Sequence, residues 1–228
     1  MEPIDETSVK NEVVNPSKVL LVCVLGNQFS ENFLRSWTEF IGYCLTHNIR
    51  PVLANVCESS FFIHKNHCLM CDMSKGPSQV PLKGEMEYDY VLWLSSSCLL
   101  QSSQHLERLM EMDKDVVSPS FVSSHSVNHM NFIQEVEFDK DQSYSFESRE
   151  DVEKMTKDNV EEVKVDYLEM KCTLMKKGVL EKIQYPWFSG DQTNLTGEVF
   201  FCRKCKEEEI DIYVDLKNPL KVETKVIV

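Results

Sequence analysis

A short apolar run that ends in three serines constrains the fold of this chain more than any other feature. Residues 90–94 read Tyr-Val-Leu-Trp-Leu, a run rich in branched and aromatic side chains that predicts a buried central strand. Ser95, Ser96 and Ser97 follow directly. A serine hydroxyl is a weak ligand for a hard divalent cation, which prefers anionic oxygen. The run therefore predicts the centre of a sheet and, at its end, a polar turn without the carboxylates of a metal site.

The first part of the chain has the pattern of a strand–helix–strand unit. Residues 19–25 form a continuous apolar run, and residues 50–56 form a second predicted strand. Between them, Ser30 is a suitable N-cap for a helix over residues 31–48, where apolar side chains recur at helical spacing. Such a unit implies parallel strands and a right-handed crossover. We therefore predict an α/β fold with a mostly parallel central sheet flanked by helices.

The rest of the chain continues this alternation except in one polar segment. Helices are predicted over residues 61–73, 104–112, 177–182 and 198–208, and strands over residues 115–121, 163–175 and 210–214. Residues 122–162 predict loops, with a short hairpin that would pair residues 132–138 with residues 143–146. Long loops of this kind often bind ligands or cover a site. We expect a disordered tail over residues 1–17 and a single domain over residues 18–228.

Composition and charge exclude several classes of function. The chain has 24 basic and 37 acidic residues, a net charge of −13 and a pI near 4.9. This balance argues against non-specific binding to nucleic acid and against docking on an anionic membrane surface. No apolar run reaches the roughly 20 residues of a membrane-spanning helix, and residues 1–17 lack the features of a signal peptide. We therefore expect a cytoplasmic protein with no membrane span and no nucleic-acid partner.

The cysteines predict free thiols rather than a disulfide framework, because the nine of them are odd in number and unevenly spaced. Several lie within apolar patterns, where cysteine packs as a small hydrophobic residue. A structural zinc site is the alternative, since two Cys-X-X-Cys pairs and two histidines have suitable spacing. Its ligands would come from His64, His67, Cys68, Cys71, Cys202 and Cys205. Each pair falls on a predicted helix without a knuckle-type turn, so packing is the favoured interpretation.

Four segments of the chain carry recognisable motifs, and they are residues 88–117, 170–188, 197–204 and 210–215. The first contains the apolar strand that ends at Ser95, together with the helix and strand after it. The others contain Pro186-Trp187-Phe188, the helix start Gly197-Glu198-Val199 and the strand Ile210-Asp211-Ile212-Tyr213-Val214-Asp215. In this order the segments resemble those of small GT-A glycosyltransferases, the viral and bacterial enzymes that decorate surface glycans or capsid proteins. The corresponding motifs of the family are the metal-binding Asp-X-Asp, Pro-Trp-Phe, Gly-Glu-Asp and Ile-X-Ile-Tyr-Val-Asp.

The resemblance implies a single GT-A-like domain that moves a sugar from a nucleotide-diphosphate donor to a glycan or glycoprotein acceptor. The donor, a UDP- or GDP-linked sugar, would lie at the carboxyl ends of the strands. The candidate donor-binding residues are Asn27, Gln28, Asn55, Ser95, Ser96 and Ser97. A virus-encoded enzyme of this kind would act in the host cytoplasm.

The resemblance also implies residues for the chemistry. Inverting transfer needs a base for the acceptor hydroxyl. Glu198 matches the first acid of the Gly-Glu-Asp motif, and Asp191 is the second candidate. The alternative for Glu198 is an ordinary acid in the first turn of a helix, where its charge is favourable. Trp187 and Phe188 could form a stacking platform on the acceptor side or could be buried loop aromatics.

Two departures from the family pattern concern the same metal site. Ser95 and Ser97 replace the acids of Asp-X-Asp, and Val222-Glu223-Thr224 stands where the family often has Val-Gly-His. We therefore expect binding of Mn²⁺ or Mg²⁺ to be weak or absent, and we assign no metal ligand. Without a metal, the charge of the leaving diphosphate needs a cation from the protein. The candidate cations are Lys171, Lys176, Arg203 and Lys204.

Three functions are compatible with these patterns. The first is an active, metal-independent glycosyltransferase. The second is a pseudo-glycosyltransferase that binds a sugar, a nucleotide or a partner without catalysis. The three serines favour it, and so does Val199, which replaces the acid after Glu198. The third is a zinc-containing interaction module, which the cysteine pairs alone support.

Overall fold

The computed structural model describes residues 18–26, 28–55, 61–100, 102–123, 126–138, 145–189 and 197–223. The predicted tail over residues 1–17 lies outside these ranges. The strands are β1 (Lys18–Leu25), β2 (Ile49–Ala54), β3 (Tyr90–Ser95), β4 (Cys98–Leu99), β5 (Val116–Pro119), β6 (Phe132–Ile133), β7 (Glu162–Val165), β8 (Tyr167–Leu168), β9 (Cys172–Lys176), β10 (Ile212–Asp215) and β11 (Lys221–Val222). The helices are α1 (Glu31–Thr46), α2 (Phe61–Cys68), α3 (Ser102–Glu111), α4 (Arg149–Lys157), α5 (Val179–Lys182) and α6 (Gly197–Glu207).

Seven strands form the central sheet, in the order β2-β1-β3-β9-β5-β10-β7. β1 is parallel to β2 and β3, and β10 is parallel to β5. β9 is antiparallel to both β3 and β5, and β7 is antiparallel to β10. Five of the seven strands therefore run in one direction. This confirms the predicted α/β fold with a mostly parallel sheet.

Helices cover both faces of the sheet because successive side chains of a strand point to opposite faces. Leu21 and Cys23 of β1 pack in the layer that contains α2, α5 and α6. Leu20 and Val22 pack in the other layer, with α1 and α3. No helix among the described residues is long and apolar enough to cross a membrane.

Helix α1 follows the predicted pattern closely. The Ser30 hydroxyl caps it by accepting a hydrogen bond from the amide of Phe33 at 3.0 Å, which satisfies one of the free donors of the first turn. Phe33, Phe40 and Cys44 are buried along one side of the helix. The helix ends at Thr46, just before Asn48 adopts a φ of 57°. The predicted helix over residues 61–73 is shorter than expected and ends at Cys68, and Met70 beyond it has a φ of 58°.

The polar segment over residues 122–162 differs most from the prediction. It contains a helix, α4, which Ser148 caps through a hydrogen bond from the amide of Asp151 at 3.1 Å. β6 pairs with β8 rather than within a local hairpin. A related contact does exist, since Glu147 bonds through its backbone to Met130 and Phe132. The sequence predicted only a local hairpin, because the pairing of β6 with β8 depends on the tertiary fold.

The eight cysteines that the structure describes are buried free thiols, as expected. Burial raises the pKa of Cys71 to about 11 and that of Cys202 to about 12, which makes both thiols unreactive near neutral pH. Within the described ranges, no group of three or more His, Cys, Asp or Glu side chains is arranged to hold a metal ion. The structure therefore gives the zinc alternative no support.

Gly26, directly after β1, offers a stringent test of the fold. Its φ is +131°, and a Cβ at this position would lie 2.2 Å from the Ser96 Oγ. We expect Gly26→Ala to lower the free energy of unfolding by about 1–3 kcal/mol, which is the usual cost of such backbone strain. Urea unfolding followed by circular dichroism measures this change.

Gly42, inside α1, is the matched control, because nothing lies within 4 Å of a Cβ placed there. Gly42→Ala should raise stability by up to about 1 kcal/mol, since alanine is the better helix former. Equal effects of the two substitutions would contradict the close approach of Gly26 to Ser96.

Candidate functional site

The crevice between the carboxyl ends of β1 and β3 is the candidate site. β1 lies between β2 and β3 in the sheet, so the chain moves to one side of β1 for β2 and to the other side for β3. In open α/β sheets, ligands bind in the crevice that such a change of direction creates. Gly26 and Ser96 face each other across it. The Asn55 amide, after β2, donates to the Val24 carbonyl at 3.3 Å.

Several of the donor-binding candidates meet at this crevice. Asn55 and the three serines at the end of β3 line the same edge of the sheet, and the exposed Gln28 lies two residues beyond Gly26. Asn27 lies outside the described residues. The serines are half-buried, which leaves them within reach of a ligand.

The turn formed by Ser95, Ser96 and Ser97, here the serine turn, is held by its own hydrogen bonds. The hydroxyls of Ser95 and Ser97 lie 2.9 Å apart and bond to each other. The Ser96 amide donates to the Leu25 carbonyl at 2.8 Å, and the Ser95 amide donates to the Lys171 carbonyl at 2.6 Å. The turn is therefore fixed between β1 and β9, and one hydrogen bond joins the hydroxyls of Ser95 and Ser97.

Glu223 closes the other side of the serine turn. Its amide donates to the Ser97 carbonyl at 2.8 Å. Its carboxylate accepts hydrogen bonds from the Ser30 hydroxyl at 2.6 Å and from the Asn32 amide at 2.7 Å. These bonds lower the pKa of the Glu223 carboxyl and place its charge at the start of α1, where the helix dipole favours an anion.

A divalent-metal site does not fit the described residues of this edge. Mg²⁺ and Mn²⁺ prefer carboxylate and water oxygens, whereas the serine turn offers neutral hydroxyls that are bonded to each other. Thr224, which stands where the family often has histidine, lies outside the described residues, and the neighbouring Glu223 carboxylate is held by Ser30 and Asn32. We therefore derive no step through a metal ion.

A buried ion pair lies on one face of the sheet beside the crevice. The Lys65 ammonium in α2 contacts the Glu198 carboxylate in α6 at 2.9 Å, and the Lys65 side chain is only 1% exposed. The rings of Trp93 and Phe188 lie 5.9 Å and 5.0 Å from the same ammonium. Burial lowers the pKa of Lys65, while the charge of Glu198 acts in the opposite direction.

This pairing changes the expected role of Glu198. A base must come within about 2.6–3.2 Å of the proton that it accepts, yet the Glu198 side chain is 11% exposed and held by Lys65. The position in the first turn of α6 agrees with the alternative that the sequence left open. Asp191, the second candidate, lies outside the described residues.

Trp187 and Phe188 lie in the core and do not face solvent. Their exposed fractions are 1% and 0%. The Trp187 indole donates to the carbonyls of Leu180 and Ile183 at 2.7 Å and 3.1 Å, which satisfies its only donor. These rings therefore do not form an acceptor-side platform. They are buried loop aromatics, which is the alternative that the sequence left open.

The four candidate cations lie in different places. Lys171 lies next to the serine turn, and its ammonium is 3.5 Å from the Glu169 carboxylate. Lys176, at the other end of β9, pairs with Tyr90 at the start of β3 and so lies at the opposite edge of the sheet. Arg203 and Lys204 lie over the Phe200 ring on α6. Among the four, Lys171 is therefore the candidate whose backbone contacts the serine turn in the described structure.

Comparison with known proteins supports the fold and leaves the function open. No protein-family model and no curated protein matches the chain. The crystal structure of A197 from STIV is similar over 92% of this chain and 96% of that chain, with a TM-score of 0.50 and 13% identity. A glycosyltransferase involved in the glycosylation of the major capsid of PBCV-1 aligns over 88% of this chain and 94% of that chain, with a TM-score of 0.35 and 11% identity. At these values the likeness to A197 describes the fold alone, and the second likeness carries no argument.

The Lys65–Glu198 pair can be tested by a double-mutant cycle. Removing one partner takes away the charge that the other partner contacts in the core, so Lys65→Met and Glu198→Leu should each lower the free energy of unfolding by about 3–5 kcal/mol. The double variant should be much less destabilised than the sum of the two, because it buries no charge. Chemical unfolding of the four forms measures the coupling.

The exposed pair between Lys164 and Asp211, with side chains 59% and 50% exposed, is the control. Lys164→Met should change stability by less than about 1 kcal/mol, as is usual for a surface pair. Strict additivity of the two core substitutions would contradict a buried ion pair.

Proposed function

We propose that this protein binds a nucleotide-diphosphate sugar in the crevice between β1 and β3 and transfers the sugar to a glycan or glycoprotein acceptor. The observation that carries the proposal is the serine turn, which lies at the point where the strand order changes direction and has Lys171 beside it. Four segments of the sequence that resemble GT-A enzymes add independent support. The donor would contact Asn55 and the serine turn, together with Asn27 and Gln28.

The proposed reaction needs no metal ion. The acceptor oxygen forms a bond to the anomeric carbon of the sugar, while the bond from that carbon to the diphosphate oxygen breaks. The Lys171 ammonium would stabilise the charge that develops on the diphosphate. The proton of the acceptor hydroxyl passes to a carboxylate, for which we propose Asp191, because Lys65 holds Glu198 in the core.

A pseudo-glycosyltransferase is the second candidate, and one observation favours it. The hydroxyls of Ser95 and Ser97 bond to each other, and the Glu198 carboxylate bonds to Lys65. These polar groups bond to one another, an arrangement that suits a binding protein because such a protein needs no free carboxylate as a base. A protein of this kind would bind the donor or a partner enzyme without turnover.

A thermal-shift screen of UDP- and GDP-linked sugars, with and without Mn²⁺, tests the proposal. A ligand that binds the folded state raises the melting temperature by mass action. We expect a shift with one donor that does not depend on Mn²⁺. A shift that requires Mn²⁺ would contradict metal independence, and no shift with any donor would contradict the donor site.

Turnover then separates the enzyme from the pseudoenzyme. Slow release of free sugar from the bound donor, without an acceptor, is expected of the enzyme. Asp191→Asn should abolish that release and leave donor affinity unchanged. Tight donor binding without any release by the unaltered protein would establish the pseudo-glycosyltransferase instead.

Lys171→Met should weaken donor binding by about ten- to a hundredfold, because a hydrogen bond to a charged group contributes about 1.5–3 kcal/mol. Lys176→Met is the matched control, since it removes the same charge at the opposite end of β9. Isothermal titration calorimetry with the donor from the screen measures both. Equal losses in the two variants would show that net charge, and not the position of Lys171, determines affinity.

A further inference from the structure

A second cavity opens at the same edge of the sheet, beyond the crevice. It has a volume of about 630 Å³ and lies at the carboxyl ends of β5 and β10, next to α4. Small-molecule sites in proteins typically have about 300–1,000 Å³. Its size therefore suits a small ligand rather than a single water molecule or ion.

The floor of this cavity is apolar. Most of the floor side chains are buried and come from the loop after β5, from α4 and from the segment after β10. They are Phe121, Met130, Val152, Leu216 and Leu220. The half-exposed Val122 and the exposed Pro219 extend this apolar surface to the mouth. A floor of this kind favours an apolar body that displaces water from it.

The rim of the cavity is cationic, in contrast to the chain's net charge of −13. Arg149, Lys157 and Lys217 stand at the mouth, and Glu153 is the one acid among the described lining residues. The Arg149 guanidinium is 3.2 Å from the Glu153 carboxylate and the Lys217 ammonium is 2.7 Å from the Glu161 carboxylate, so two of the three positive charges are offset and that of Lys157 remains. The remaining charge complements an anionic group at the mouth.

The cavity is also connected to the serine turn. The Leu220 amide in its floor donates to the Ser120 carbonyl at 2.8 Å, and three residues later the Glu223 amide donates to the Ser97 carbonyl. At about 3.3 Å per residue of extended chain, the floor and the turn are about 10 Å apart. The Phe121 ring of the floor lies 5.6 Å from the Lys171 ammonium.

We infer that this cavity binds a small amphiphile, with its apolar body on the floor and a single anionic group at the cationic rim. The role of that ligand rests on the proposed function: it is the sugar acceptor, whose hydroxyl reaches toward the serine turn. The acceptor is thus a glycan or glycoprotein segment that carries an apolar group and a negative charge beside the reacting hydroxyl.

Two dyes of the same shape test the cavity directly. Anilinonaphthalene sulfonate has an apolar body with one negative charge, and phenylnaphthylamine has the same body without the charge. Both fluoresce more strongly when an apolar site removes them from water. We expect saturable binding of one molecule per chain, with the sulfonate bound more tightly.

Substitutions in α4 locate the binding. Thr156 is an exposed residue at the rim, so Thr156→Trp fills the mouth without disturbing the core and should weaken both dyes more than tenfold. Lys157→Glu should weaken the sulfonate about five- to tenfold and leave the neutral dye unchanged. Lys154→Glu is the matched control on the same helix, because it makes the same charge change outside the cavity lining. Circular dichroism and melting curves verify that the variants fold.

The outcomes separate this inference from the proposed function. Unchanged binding of the sulfonate to the Thr156→Trp variant would overturn the cavity as its site, and equal effects of Lys157→Glu and Lys154→Glu would overturn the cationic rim. Donor affinity, measured by calorimetry, should be the same in Thr156→Trp and the unaltered protein. If the dyes bind as expected but no sugar donor binds, the cavity is an amphiphile site. Its role as acceptor site is then refuted together with the proposed function.

Discussion

The buried ion pair between Lys65 and Glu198 is the interaction on which one wall of the candidate site depends. An ammonium that is fully removed from water must be paired, so α2 and the first turn of α6 have to meet where the pair forms. Trp93 of β3 and Phe188 complete its surroundings. The next residue of α2, Asn66, donates to the Phe188 carbonyl at 2.7 Å. The pair thereby fixes two helices and a loop beside the end of the central strand.

At the end of β3, main-chain hydrogen bonds rather than a buried charge hold the site in place. The serine turn is tied to β1, β9 and the segment after β11 through main-chain hydrogen bonds. Its geometry therefore does not depend on a bound cation. This is why a crevice without carboxylates can still hold its serine hydroxyls in fixed positions, with Lys171 as the nearby residue of positive charge.

The sequence was sufficient for the elements whose signals are local. The apolar runs of β1 and β3 and the cap at Ser30 predict strands and a helix that the structure confirms. The cap of α4 also has a sequence signal, since Ser148 and Asp151 have capping spacing at the start of the helix. The polar residues around it nevertheless favoured the prediction of a loop. The antiparallel insertion of β9 between β3 and β5 was not predictable, because strand order is set by packing across the whole sheet.

The site was less predictable than the fold for the same reason. A lysine in a short helix, such as Lys65 in α2, gives no sign in the sequence that its charge will be buried. Trp187 and Phe188 lie just before a polar stretch, and Phe188 packs against Trp93 and Phe201, which are both distant from it in the sequence. Glu198 was recognised as an acid at a helix start, but its partner lies 133 positions away in sequence.

A crystal structure of the protein with the sugar donor selected by the thermal-shift screen would test the central claim most directly. We expect the diphosphate to lie in the crevice between β1 and β3, within hydrogen-bonding distance of the serine turn and of the Lys171 ammonium, without a metal ion between them. A donor bound at any other surface, or a diphosphate held by a metal ion on carboxylates, would contradict the assignment of this edge as a metal-independent donor site.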